Sequence, residues 1–381
     1  MRASGRCIDH RRPRRGSQRG QAILITVLLL GLILTISFYS LVRPRNVDIE
    51  ANAQTERVLA QAKEALIAYA SGRDATNRPA ELPCPDADNN GIADSPCGTL
   101  APQITIGRLP WKTLGIPDLR DGSGERLWYA VSDNFKNSPA VTPLNSNTPG
   151  QFTVTGIASN VIAIVFAPGT VVAAQSRIAA NTNDVAHYLE GENATSNNSI
   201  FISAASSNIF NDRLLAITPA MFFPAVEIRV AQQIRSTLNA YYTANQYFPP
   251  ANDYDVSCVA ANQGMIPANP MACGAMFAGW SPPSWFTTEQ WYRVMFYAVA
   301  PACADTTAIN CTGAGGFLTL NGVSGIRALI ISPGTKYPGQ PPGSCTSITD
   351  CLEPPNTTSF PVFTHVTGSS TTNDRVVIVA P

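Results

Sequence analysis

The sequence predicts an α+β protein: an N-terminal transmembrane helix followed by two tandem units, each a helix packed on a small antiparallel sheet. Three observations predict it. Ala22 to Val42 is a run of 21 residues without a charge. Apolar residues then recur at helical spacing twice, at Val58, Ala62, Ala65, Leu66 and Tyr69 and at Val230, Ile234, Leu238 and Tyr241. The chain beyond the first of these helices also repeats its own landmarks, in order, about 160 residues later.

The leader, residues 1–20, carries seven of the 26 basic residues and one of the 26 acidic ones. The apolar segment that follows, 21–43, is long enough as a helix to span roughly 30 Å, the thickness of a bilayer's hydrocarbon core. The positive-inside rule keeps a basic leader cytoplasmic and sends the rest across. A cleavable secretory signal fits less well, because the Ala51-Asn52-Ala53 triplet lies beyond Arg43 and Arg45. The first unit is assigned to 44–219, with Pro44 kinking or interrupting its helix, and the second to 220–381, with Pro224 in the first helical turn.

The remainder of each unit reads as short β runs separated by Gly- and Pro-rich turns. Leu127 to Val131, Val161 to Phe166 and Leu214 to Ile217 match Met295 to Val299, Ile326 to Ile331 and Val376 to Val379. QFTVTGIASNVIAIVFAPGT, from Gln151, aligns with GFLTLNGVSGIRALIISPGT, from Gly316. Leu189-Glu190, Asn193 and Asn211-Asp212-Arg213 recur as Leu352-Glu353, Asn356 and Asn373-Asp374-Arg375. In each Asp-Arg pair the arginine is expected to tether to a neighbouring carboxylate. The sequons at Asn193 and Asn356 read as turns shared by the two repeats.

Cysteine usage suits an oxidising compartment. Beyond Cys7, eight cysteines fall into four close pairs: Cys84 with Cys97, Cys258 with Cys273, Cys303 with Cys311, and Cys345 with Cys351. None shows the C-x-x-C spacing of zinc or redox sites, and sequential pairing closes the shortest loops. The exported part is mildly acidic and has no basic stripe, so nucleic acid is not an expected partner.

Sites of chemistry are few. His187 and His365 have no matching histidine in the other repeat, and no nucleophile elbow, phosphate loop or zinc pair occurs. The chain is not expected to be an enzyme. One loop has metal-ligand spacing: Asp86, Asp88, Asn90 and Asp94, with Gly91 for the sharp turn and Ile92 offering its carbonyl, as in loops that wrap oxygen around Ca2+. Cys97 stands where an EF-hand places its bidentate glutamate. Asp and Asn also favour plain turns, so the loop has a structural reading beside the calcium one.

Arg19-Gly20 directly before the apolar run resembles the prepilin leader of type IV pilins and type II secretion pseudopilins. The likeness extends to Asp121 and Gly124 ahead of Leu127, Trp128 and Tyr129, a turn and aromatic strand like those of pilin heads; in the second unit Glu289 and Tyr292 depart from it. The resemblance implies cleavage between Gly20 and Gln21, methylation of the new N-terminus, and packing of the helix in a filament. It implies other pilins or pseudopilins, a prepilin peptidase and an inner-membrane assembly platform as partners. The chain would sit in a bacterial inner membrane as a single-pass protein, with its heads periplasmic or on the filament. The family's major subunits carry a glutamate as the fifth mature residue, where this chain has Ile25; the resemblance therefore implies a minor subunit at a tip or initiation complex. The alternative is a signal-anchored periplasmic binding protein or adhesin.

Overall fold

The computed structural model describes residues 18–72, 78–97, 105–138, 140–141, 143–172, 175–196, 198–252, 260–268, 279–304, 311–312, 316–334, 347–354, 356–358, 360–365 and 372–381. The chain divides into two compact units, Met1–Gln54 and Thr55–Pro381. Helix α1 (Gln18–Ser71) is 54 residues long and belongs to the first unit up to Gln54 and to the second beyond it. It passes through Pro44 without a break.

The expected transmembrane helix is not supported: among the described residues no helix is long and apolar enough to cross a membrane. In α1 a run of large apolar side chains is described from Ile23 to Phe38. The single-pass, inner-membrane placement falls with the expected transmembrane helix. The expected pair of helix-on-one-sheet units is also corrected, because the fold is mixed α/β with four sheets.

In the first half of the second unit the strands are β1 (Thr105–Arg108), β2 (Trp128–Val131), β3 (Phe152–Thr155), β4 (Ala158–Val161), β5 (Ala163–Ala167), β6 (Ile200–Ile202) and β7 (Arg213–Ile217). A large antiparallel sheet has the order β1-β2-β5-β7, and a small one has the order β4-β3-β6. In the small sheet β3 and β6 run parallel, in the register Thr153↔Ile200. Sequence alone left this out because β6 is three residues long, too short for any alternation to show.

Burial explains why the large-sheet strands are apolar throughout. Tyr129, Val131, Ala163 and Val165 point to a core shared with Val58, Ala62 and Leu66 of α1. Trp128, Ala130, Ile164 and Phe166 point the other way and pack on Phe152, Val154 and Phe201 of the small sheet. A strand buried on both faces loses the polar half of its alternation. β3, with one face in solvent, keeps it: Phe152 and Val154 are buried while Thr153 and Thr155 are exposed.

Helix α2 (Pro219–Asn245) opens the second half one residue after β7 ends. Pro219 sits at its start, so Pro224 lies inside the helix rather than in the first turn, where it forgoes only the bond to the carbonyl of residue 220. The strands that follow are β8 (Ala251–Asn252), β9 (Ala260–Ala261), β10 (Gln263–Met265), β11 (Phe296–Val299), β12 (Leu318–Leu320), β13 (Val323–Ile326), β14 (Ala328–Ser332), β15 (Val362–Phe363) and β16 (Arg375–Ala380). They form a sheet of order β16-β14-β11-β10-β8-β9 and a small sheet of order β13-β12-β15, again with a parallel pair, β12 with β15. β11, β14 and β16 thus pair as β2, β5 and β7 do.

Candidate metal centre

The loop expected to wrap a cation is built by its own backbone. Asp86 is buried, and its two carboxylate oxygens accept the amides of Asn90 (3.1 Å) and Gly91 (2.6 Å). Asp88 Oδ1 accepts the Asn90 amide at 3.1 Å and Oδ2 the Asn90 side-chain amide at 2.8 Å. Asn90 Oδ1 accepts Ile92 N–H at 2.7 Å, and Asp94 Oδ2 accepts Ala87 N–H at 2.6 Å. Gly91 is required at the turn: its φ is +88°, and a Cβ there would come within 2.6 Å of the Trp111 ring.

Asp86, Asp88 and Asp94 each offer an oxygen lying within 4.8 Å of the others. One cation with oxygens at ~2.4 Å spans such a gap, so the donor set fits a hard divalent ion of calcium's size. Asn90 Oδ1, like the three carboxylates, accepts a backbone amide, that of Ile92, and the Ile92 side chain is exposed. Burial pushes the Asp86 carboxyl above its ordinary range, and the two backbone amides oppose that. Lys112 adds a positive charge by donating to the Asn90 carbonyl. Neither Lys112 nor Trp111 stood out in the sequence, since both lie about twenty residues further along the chain.

Cys84 and Cys97 are disulfide-bonded around this loop, with Cα atoms 5.5 Å apart, and Cys303 is bonded to Cys311. Cys258, Cys273 and Cys345 lie outside the described residues; Cys351 is itself disulfide-bonded. Gly20 and Gln21 fall in α1, and their side chains lie outside the described ones.

The remaining singled-out residues are structural in placement. Asp121 Oδ1 accepts the amides of Ser123 and Glu125, both at 2.9 Å, and Gly124 has φ +87°. Asp121 Oδ2 takes Gly169 N–H at 2.8 Å, while Gly122 N–H donates to Thr55 on α1. Glu289, its counterpart, instead accepts the Leu144 amide at 2.8 Å and pairs with Arg78 at 3.3 Å. His187 Nδ1 and His365 Nδ1 accept backbone amides, from Ser176 and Val376. Arg213 reaches Glu56 and Arg375 reaches Glu227, each a carboxylate on a helix. Asn193 and Asn356 are fully buried, so neither sequon presents its amide to solvent.

Comparison with known proteins returns no matching family model, no matching curated protein and no matching solved structure.

Proposed function

We propose that the chain is a non-enzymatic subunit of a filament of the type IV pilus or type II secretion kind, present in few copies at a tip or initiation complex. One observation carries the reading: along α1, Ile23, Leu24, Ile25, Val27, Leu28 and Leu29, and likewise Leu30 through Phe38, expose more than half of every large apolar side chain. Consecutive exposed positions cover the whole circumference of a helix, where a surface helix of a globular protein shows a single stripe. Apolar surface on that scale marks an interaction site, and copies of the same helix are the partner of matching shape.

The prepilin-like junction at Gly20 and Gln21 supports the same reading. Ile25, where a shaft subunit would offer a carboxylate to a neighbour's N-terminal ammonium, supports the tip or initiation placement. The structural engagement of both histidines agrees with a subunit that assembles rather than catalyses.

N-terminal sequencing of the mature chain tests the reading, with a start at Gln21 expected; retained Met1 or a start near Gln54 overturns it. Cysteines introduced at Leu28 and Leu32 should also cross-link to the α1 helices of other subunits. A chain that remains uncross-linked under oxidation in its host would not be packing by this helix.

A further inference from the structure

The two halves use one matched position in opposite ways. Asp121, in the first, closes a turn of its own half: its carboxylate takes the amides of Ser123 and Glu125, the Ser123 hydroxyl at 2.6 Å and the Gly169 amide. Glu289, in the second, directly follows the short helix α3 (Ser284–Thr288) and is buried. Its carboxylate turns to the other half. Oε2 accepts the Leu144 amide at 2.8 Å, Oε1 lies 3.3 Å from Arg78 Nε, and the Glu289 backbone carbonyl accepts the Asn145 side-chain amide at 2.7 Å. Leu144, Asn145 and Arg78 all belong to the first half.

The groups that receive Glu289 are held in place by the first half itself. Arg78 Nη2 donates to the Val141 carbonyl at 2.7 Å, and Arg78 Nε lies 3.2 Å from Glu81. The stretch carrying Arg78 is joined to the chain around Phe135 by Leu82 N–H, which donates to the Phe135 carbonyl at 2.8 Å, and by Asn137 N–H, which donates to the Leu82 carbonyl at 3.0 Å. Leu144 and Asn145 lie on a turn closed by its own residues: Asn145 N–H donates to Thr148 Oγ1 at 3.0 Å, Asn147 N–H to Asn145 Oδ1 at 2.9 Å and Thr148 N–H to the Asn145 carbonyl at 2.9 Å. This socket is built without the second half. A carboxylate as deeply buried as Glu289 is strongly unfavourable until a cation and a donor meet it, and here both come from the first half.

We propose that the first half is the template on which the second folds, with Arg78 and the 143–148 turn as a preformed socket and Glu289 as the plug. The dependence runs one way. With the second half open, Asp121 keeps all four bonds to its carboxylate, and Arg78, Leu144 and Asn145 exchange Glu289 for water. With the first half open, Glu289 has neither its cation nor its amide. It cannot simply turn to water, because Trp285, Phe286 and Trp291 flank it in sequence and are all buried, so they would be drawn out with it. The order also suits synthesis, in which the N-terminal half is made first and carries the socket.

The test uses the full chain carrying Glu289→Gln or, at the matched position, Asp121→Asn, equilibrated in graded urea and pulse-labelled with deuterium. Glutamine keeps an oxygen for the Leu144 amide and gives up the pairing with Arg78. In the Glu289→Gln chain, β11 and β14 should lose amide protection at a lower urea concentration than β2 and β5, which stay protected over that interval. In the Asp121→Asn chain, β2 and β5 should open at lower urea than in wild type, and β11 and β14 should never stay protected once they have. Simultaneous loss in both halves of the Glu289→Gln chain overturns the proposal, as does an Asp121→Asn chain whose first half opens while its second stays protected.

Refolding of the wild-type chain from urea gives a second reading that does not depend on the variants folding. Pulse labelling during refolding should find β2 and β5 protected before β11 and β14, because the plug has nothing to enter until the socket exists. Protection of the second half first, or of both halves together, overturns the proposal.

Discussion

Arg108 and Met265 occupy the same place in the two large sheets, Arg108 opposite Trp128 and Met265 opposite Phe296. Both are buried, at 3% and 2% exposure. The Arg108 guanidinium lies between two aromatic faces, 4.2 Å from the Trp128 ring centre and 3.9 Å from that of Tyr188. It donates to the carbonyls of Arg126 (3.1 Å) and Thr182 (2.8 Å). Burial lowers its pKa to about 10. In the second half Phe296 replaces Trp128, and Cys351, aligned with Tyr188, removes the second ring. One slot is thus filled either by a cation with its cradle of rings and carbonyls or by a flexible thioether that needs none. The cradle and the cation come as a set, whereas the apolar solution stands alone.

The largest effect should come from breaking that set. Met265→Arg places a charge where the rings are missing, and we expect a loss of about 4 kcal/mol in denaturant unfolding; a loss below about 1 kcal/mol would show that the second half can improvise a cradle. Next come the positions where the halves agree. Gly169 and Gly334 have φ of +64° and +70°, and a Cβ on them would approach Asn211 and Asn373 at 2.9 and 2.8 Å. Gly169→Ala and Gly334→Ala should each cost about 3 kcal/mol, from the left-handed backbone and the displaced asparagine together. Unequal losses would mean that the two turns are held differently.

A smaller effect separates the halves again. Asp86→Ala takes the carboxylate from the Gly91 amide and leaves the Asn90 amide only Asp88, and should cost about 2 kcal/mol. Thermal melts should show this loss in chelator as well as in calcium, since the amide bonds do not need an ion. A loss seen only with calcium would make the ion, rather than the amides, the organiser of the loop. The smallest effect is Arg108→Met, which carries the second half's solution into the first. Removing a buried cation offsets the lost stacking, and stability should stay within about 1 kcal/mol of wild type; a larger loss would mark the cation as indispensable to Tyr188.

What the sequence shows and what it hides differ by the range of the interaction. Leu214 to Ile217 reads as a strand from its own residues and lies in β7. The tether from Arg213 and from Arg375 to a carboxylate was legible because each arginine needs one, although the partners, Glu56 and Glu227, were not. Asp212 and Asp374 were visible as recurring letters, yet the bonds they accept from the Glu190 and Glu353 amides close loops of about twenty residues that leave no periodic trace. Arg108 does not stand out in the sequence, because nothing local announces Tyr188 eighty residues later. The apolar run of α1 was plain to read, but its length in letters did not translate into a described helix able to cross a membrane.

Thr218 is the sole residue between β7 and α2. Phe222 and Phe223, in the first turns of α2, press their rings against Phe135 of the first half, at 5.8 and 6.1 Å. The two repeats are therefore joined without slack. Tension applied across the junction would pass from a hydrogen-bonded strand directly into the axis of a helix, with no coil between β7 and α2 to extend first.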